Sequence, residues 1–367
     1  MHILLNICAE VNLGDDLFLQ IFTQRYPNVK ITLTDGAQYS VYDKYQKFSL
    51  PRLSLTERII RKFISLFNQQ RAIHYVDRVT DAKIRNTYDA YLILGGSMFM
   101  QHDSSVGYVE NLYKYYVDRI DNSFIIGANF GPFTKPEFLS FFTDLFSKFK
   151  SIVFRDTYSA SLFPNNPVIS TRPDVVFQHI PKSLSVLPDS VGISVIDLSS
   201  RDALKHEYEN YVTFLLELTQ RLLAEGKSVY LYSFCKAEGD EATVDRIVAK
   251  VQHPNLKAIR YNGDIENFLR IYGSMEAIYA TRFHAMILGF VYNRIVVPII
   301  YSKKMTQVLD DIKFTGRIIP IENISQQDVT RCIDYMRTYN YVLPSNIREE
   351  AKGMFLDFDK FIESNHK

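Results

Sequence analysis

Short apolar runs alternate with longer amphipathic stretches along most of this chain. Residues 3–8 form a buried-strand pattern, followed by Gly14-Asp15-Asp16 and a helical run over 17–26. Residues 29–33 read as a second strand, and 52–75 as a basic helical stretch and surface insertion carrying Arg58, Arg61, Lys62 and Arg71. Residues 91–94 form a strand ending in Gly95-Gly96-Ser97, residues 124–128 one that runs toward Gly131-Pro132, and residues 152–154 one that ends at Arg155-Asp156. Apolar strands alternating with helices predict parallel βα units whose sheet is buried on both faces.

The rhythm breaks at PKSLSVLPDS, residues 181–190, a linker composition. It then restarts, with strands predicted at 191–196, 229–233, 257–261, 277–280 and 295–300. The helices between them fall at 204–225, 238–251, 264–271 and 283–291, and the tail from about 325 is mostly helical. The expected architecture is two Rossmann-like open α/β sheets facing a cleft. The boundaries are 1–183, with a helical insertion near 50–80, then 190–324, then C-terminal helices over 325–367 that pack back across both. In such sheets ligands bind beyond the carboxyl ends of the strands, so each strand-end turn gains functional weight.

Composition narrows the function classes. Forty-two basic residues against 41 acidic give a net charge of +1, which lacks the concentrated basic face of a nucleic-acid binder. An anionic ligand must therefore be held by a few placed cations. Cys8, Cys235 and Cys332 are odd in number and widely spaced, forming neither a disulfide framework nor a metal knuckle, and they suit a reducing compartment. The opening meets acids too early for a signal peptide, and no 18-residue apolar run occurs, so a cytoplasmic protein is expected.

Several strand-end clusters carry chemistry. Asn6, Gly14 and Asp15 place a carboxylate and backbone N–H groups at the cleft, although an Asp at a helix start often serves only as a cap. Gly95, Gly96 and Ser97 let the backbone approach a ligand closely. The GANFGP run, with Asn129, has the same character. Arg155 ends an apolar strand with a cation. Thr281-Arg282-Phe283-His284 crosses a strand-to-helix turn, so Arg282 and His284 can face the cleft with Phe283 turned into the core. A cation beside a group titrating near neutrality suits proton transfer on an anionic substrate. Tyr301, Lys303 and Lys304 follow the VVPII strand. Together these describe an anion site between two sheets.

In order along the chain, Asn6 with Gly14-Asp15, ILGGS at 93–97, IGANFGPF at 126–133, VFRD with Ser159, RPDVVF at 172–177, ATRFHAMI at 280–287 and PIIYSKK at 298–304 resemble the polysaccharide pyruvyltransferase family. The resemblance covers roughly residues 1–315. It implies a GT-B-like fold, phosphoenolpyruvate as donor, and a hexose of a surface polysaccharide or its lipid-linked precursor as acceptor, giving a pyruvate ketal. Peripheral membrane association would then come through the acceptor. Planar guanidinium groups of Arg282 and Arg155 would grip the donor's carboxylate and phosphate, with Lys304 on the leaving phosphate. His284 would protonate the methylene carbon and Asp15 would take the hydroxyl proton. No metal or cofactor is implied. Two other readings stand beside this one. One is a nucleotide-sugar glycosyltransferase, whose retaining members use paired glutamates where GSMEAIYATRFHA offers only Glu276. The other is a non-catalytic carbohydrate-binding protein.

Overall fold

The computed structural model describes residues 1–34, 42–101 and 106–365. The first sheet contains seven parallel strands: β1 (His2–Asn6), β2 (Lys30–Leu33), β3 (Gln46–Lys47), β4 (Ala90–Leu94), β5 (Ser123–Ala128), β6 (Ser151–Phe154) and β7 (Ile169–Thr171), in the order β3-β2-β1-β4-β5-β6-β7. Its helices are α1 (Leu13–Arg25), α2 (Leu55–Phe67), α3 (Gln69–Thr87), α4 (Tyr108–Val117), α5 (Pro136–Phe146) and α6 (Thr157–Ser161). β4 is buried at every position, AYLIL, as a central parallel strand covered on both faces must be.

Two local departures from the sequence reading have clear causes. α1 begins at Leu13, not at residue 17, because the Asn12 side chain caps it by accepting from Gly14 N at 3.0 Å. Asp15 and Asp16 therefore sit inside the first turn, and neither is the cap. The helical stretch at 52–75 is broken at Asn68, whose side chain accepts from Arg71 N at 3.0 Å and starts α3.

The second sheet has six parallel strands: β8 (Ser190–Ser194), β9 (Ser228–Ser233), β10 (Leu256–Arg260), β11 (Ala277–Ala280), β12 (Ile295–Ile300) and β13 (Ile319–Pro320), in the order β10-β9-β8-β11-β12-β13. Its helices are α7 (Tyr208–Ala224), α8 (Asp240–Lys250), α9 (Ile265–Tyr272), α10 (Phe283–Val291) and α11 (Lys303–Asp311). The tail supplies α12 (Val329–Thr338), α13 (Ile347–Lys352) and α14 (Leu356–Ser364). α12 stays on the second sheet, where Tyr279 OH donates to Cys332 O at 3.0 Å. The last two helices return to the first domain. Arg25 donates two hydrogen bonds to Asp359 at 2.9 and 2.6 Å, Tyr26 OH donates to the same carboxylate at 2.6 Å, and Phe355 and Phe358 pack on Phe22 and Tyr26.

The carboxyl ends of the two sheets meet at the start of α1. Leu13 N donates to Phe234 O at 3.2 Å, beside an antiparallel bridge between Asn12 and Cys235. Asp16 is buried at the same seam, where burial raises its carboxyl to about 6 although Tyr261 and Tyr42 both donate to it, at 2.5 and 2.6 Å. No described helix is long and apolar enough to cross a membrane.

Candidate active site

Gly95 and Gly96 take φ of +67° and +72°, which glycine adopts without strain. A Cβ on Gly95 would lie 2.6 Å from the Phe18 ring, so only glycine lets this turn lie against α1. Beyond the turn, Ser97 Oγ donates to Asn129 Oδ1 at 2.9 Å and accepts from Lys304 Nζ at 3.2 Å across the cleft. Arg155, 3% exposed, extends from the end of β6 and donates to Asn129 Oδ1 at 2.5 Å and to Asp174 Oδ2 at 3.2 Å. Asp156 caps α6 and holds Ser159, as a helix-start aspartate commonly does.

From the second domain, the turn after β11 is fixed by Ser194, whose hydroxyl accepts from Thr281 N and Arg282 N at 3.0 and 3.1 Å. The three following side chains diverge. Arg282 turns toward α8: its Nε donates to both Asp240 oxygens at 3.0 and 2.9 Å, and Nη1 donates to Glu238 at 2.7 Å. Phe283 is buried, but its ring is also a plate for two cations, with Arg155 Cζ 4.4 Å and Lys304 Nζ 5.5 Å from its centroid. His284 reaches into the first domain. A Cβ on Gly14 would lie 1.8 Å from His284 Nδ1, so the ring occupies the space that glycine leaves. His284 Nε2 lies 4.0 Å from Asp174 Oδ2.

Lys303 and Lys304 separate because adjacent helical residues point about 100° apart. Lys303 is exposed, whereas Lys304 points inward and has no ion-paired carboxylate among the described residues. Tyr301 lies under Arg201 and Lys304, at 5.1 and 5.8 Å. Against the effect of burial, Lys304, Arg282 and Arg201 hold its phenol below the usual value.

The buried charges set the protonation states. Burial lifts Asp15 to about 7; Arg155 and Lys304 oppose the rise, and Glu238 and Asp16 add to it. Burial, then Arg155, Lys304 and Arg282, drive His284 well below its ordinary value, so its ring is neutral. His284 Nε2 and Arg155 Nε are both buried without a hydrogen-bond partner among the described residues. Unpartnered buried polar atoms are uncommon in native proteins, and here, with Arg201 Nε, three share one network. The arrangement offers an anion two cations, a neutral imidazole and a carboxyl group that is half protonated near neutrality. A cavity of about 280 Å³ opens on the flank of Arg155, but Asp156, Asp174, Asp311 and Glu350 outnumber Arg155 and Arg172 in its wall, which suits an anion poorly.

The structure thus brings together Asp15, Gly14, Gly96, Ser97, Asn129, Arg155, His284 and Lys304, with Tyr301 beside them. It turns Arg282 onto two carboxylates, gives Asn6 Nδ2 to Tyr91 OH at 3.2 Å, and leaves Lys303 in solvent. Asp174, Glu238, Asp240 and Arg201 belong to the same network and were not singled out from the sequence. Asp174 lay in the RPDVVF motif. Asp240 reads as one more acid at a helix start.

Several solved structures share the fold. A UDP-GlcNAc 2-epimerase of Methanocaldococcus jannaschii, in complex with UDP-GlcNAc and UDP, is 9% identical with a TM-score of 0.56, over 98% of this chain and 99% of that one. The Neisseria meningitidis UDP-GlcNAc 2-epimerase bound to UDP-GlcNAc is 10% identical with a TM-score of 0.57, over 98% and 100%. At this identity the likeness establishes the two-sheet GT-B-like architecture alone. Comparison with curated proteins finds no match. The family model for polysaccharide pyruvyl transferase matches residues 12–303, a span running from the cap of α1 through the RFH turn to the start of α11. The chain belongs to the polysaccharide pyruvyl transferase family.

Proposed function

We propose that this enzyme transfers the pyruvyl group of phosphoenolpyruvate to a hexose of a surface polysaccharide or its lipid-linked precursor, forming a cyclic ketal in the cytoplasm. The observation that carries the reading is the pair of inward cations, Lys304 and Arg155, beside the unpartnered His284 Nε2. Phosphoenolpyruvate brings a phosphate, a carboxylate and a carbon that must be protonated. Lys304, bridged to Ser97 and without an ion pair among the described residues, takes the phosphate. Arg155, with Nε unsatisfied, takes the carboxylate. Arg282 then serves as a brace for the turn, in place of the donor grip expected for it.

The electrostatics favour a reversal of the expected acid and base. Asp15, raised to about 7, retains a proton to give the methylene carbon. The negative charge of the bound donor would offset the Arg155, Lys304 and Arg282 charges that, with burial, lower His284, which then accepts the proton of the attacking hydroxyl. Protonation at C3 turns the methylene into a methyl and leaves an oxocarbenium-like centre at C2. The first sugar oxygen bonds to C2, the C–O bond to phosphate breaks with its electron pair, and a second hydroxyl closes the ketal. One hydroxyl proton balances the proton gained by C3, and the other leaves on phosphate.

A donor screen by thermal shift tests the reading. Phosphoenolpyruvate at 100 times its Kd stabilises by about 2.7 kcal/mol, and UDP-GlcNAc, the ligand of the epimerase structures, gives no shift. A shift with UDP-GlcNAc and none with phosphoenolpyruvate overturns the reading in favour of a nucleotide-sugar enzyme.

A further inference from the structure

We propose that α2 is an interfacial helix that docks in the plane of an anionic lipid bilayer. None of its residues is buried. Leu55, Ile59, Phe63, Leu66 and Phe67 are 75%, 62%, 63%, 74% and 77% exposed. On a helical projection they share one face, about 120° wide at 100° per residue, with Arg58 and Lys62 along one edge. Over residues 50–73 the basic residues are Arg52, Arg58, Arg61, Lys62 and Arg71, against the single acid Glu57. An apolar face rimmed by long cations is the chemistry of a headgroup–acyl boundary: the rings enter the hydrocarbon edge and the cations reach anionic headgroups.

The helix is held ready. Ser54 and Glu57 form a reciprocal cap, and Lys83 of α3 bonds Glu57 at 2.5 Å and Arg52 O at 3.0 Å. α3 therefore supports the side away from the apolar face. A second copy of this chain paired antiparallel through α2 would set the cationic edges against each other.

Position adds to the case. Two residues separate the end of α3 from the start of β4, so the far end of the α2–α3 hairpin points toward the carboxyl edge of the first sheet. Nineteen residues of α3 span about 28 Å, and the five of β4 about 17 Å. Arg119, just past the end of α4, bonds Asp81, about two thirds of the way along α3, at 2.6 Å, and the twelve residues back to Gln69 span about 18 Å. Tyr108, at the start of α4, is 80% exposed. A bilayer under α2 would lie beside the mouth of the site.

Vesicle binding needs neither donor nor sugar, so this proposal stands or falls apart from the pyruvyl-transfer reading. The chain has no Trp, and Phe63→Trp supplies a single emission probe. Flotation of the full chain is measured with phosphatidylcholine vesicles and with vesicles containing about 30% phosphatidylglycerol. Binding to the anionic vesicles should be at least about tenfold stronger and fall by a similar factor in high salt. The emission of the introduced indole should shift to the blue. Leu55→Ser with Phe63→Ser and Phe67→Ser, and separately Arg58→Gln with Arg61→Gln and Lys62→Gln, should each lose the binding at an unchanged melting temperature. Absence of binding by the unaltered chain, equal binding to neutral vesicles, or undiminished binding by the serine variant overturns the proposal. So does a dimer in sedimentation that the serine changes dissociate while vesicles remain unbound.

Discussion

Replacing Arg282 by Met separates a brace from a donor ligand. Arg282 is 7% exposed and Asp240 is fully buried; three of the four guanidinium bonds go to Asp240 and one to Glu238. The Met variant leaves the Asp240 carboxylate with only the N–H groups of Phe234 and Cys235, each at 3.0 Å. Stripping one partner from a buried pair costs about 3–5 kcal/mol, which for a domain of this size lowers Tm by roughly 6–20 °C. Adding Asp240→Asn removes the stranded charge while keeping an acceptor for the two N–H groups, so part of the loss should return. Scanning calorimetry gives Tm, and titration calorimetry with phosphoenolpyruvate gives affinity on the same samples. Donor affinity within about threefold of the unaltered chain is expected wherever the variant is folded. An unchanged Tm with phosphoenolpyruvate bound more than tenfold more weakly would refute the brace and restore Arg282 to the donor site.

Lys304→Gln should weaken phosphoenolpyruvate by about 1.5–3 kcal/mol at unchanged Tm, since Lys304 has no ion pair among the described residues to lose, while exposed Lys303→Gln changes neither; titration calorimetry and thermal melts check both. Gly14→Ala drives a methyl into His284, so turnover should collapse, and stability should fall by an overpacking cost of about 1–3 kcal/mol, read as a lower Tm. Asp15 titrates near 7 folded and near 4 unfolded, so the folded chain holds an extra proton between those values and stability declines as pH rises through that window. Asp15→Asn should therefore be more stable than the unaltered chain at pH 8 and little different at pH 4 by thermal melts, and kcat/KM of the unaltered enzyme should fall above about pH 7.

The parallel sheets were legible because their strands are continuous apolar runs ending in Gly, Arg or Thr, and buried strands require that pattern. Two-residue strands such as Gln46–Lys47 carry no such signal. The start of α1 was missed because Asn12 precedes Leu-Gly, and the cap is visible only once its side chain is seen to turn back on Gly14 N. Within the site, His284, Arg155, Asp15 and Lys304 stood out as ionisable residues in the strand-to-helix connections. Their partners did not. Asp174 and Asp240 meet Arg155 and Arg282 from 19 and 42 residues away, and nothing local marks such a pairing. The protonation states were the least accessible feature, since burial moves Asp15 up and His284 down only after the domains have closed over them.

The most direct measurement of the central claim is the reaction of phosphoenolpyruvate with a panel of synthetic hexosides in D2O, followed by phosphate release and product mass. Pyruvyl transfer through C3 protonation predicts phosphate released in step with a ketal whose methyl carries one deuterium. Asp15→Asn and His284→Gln should each lose roughly 10²-fold or more of that rate. Transfer of sugar from a UDP-linked donor, with phosphoenolpyruvate neither bound nor consumed, would contradict the account.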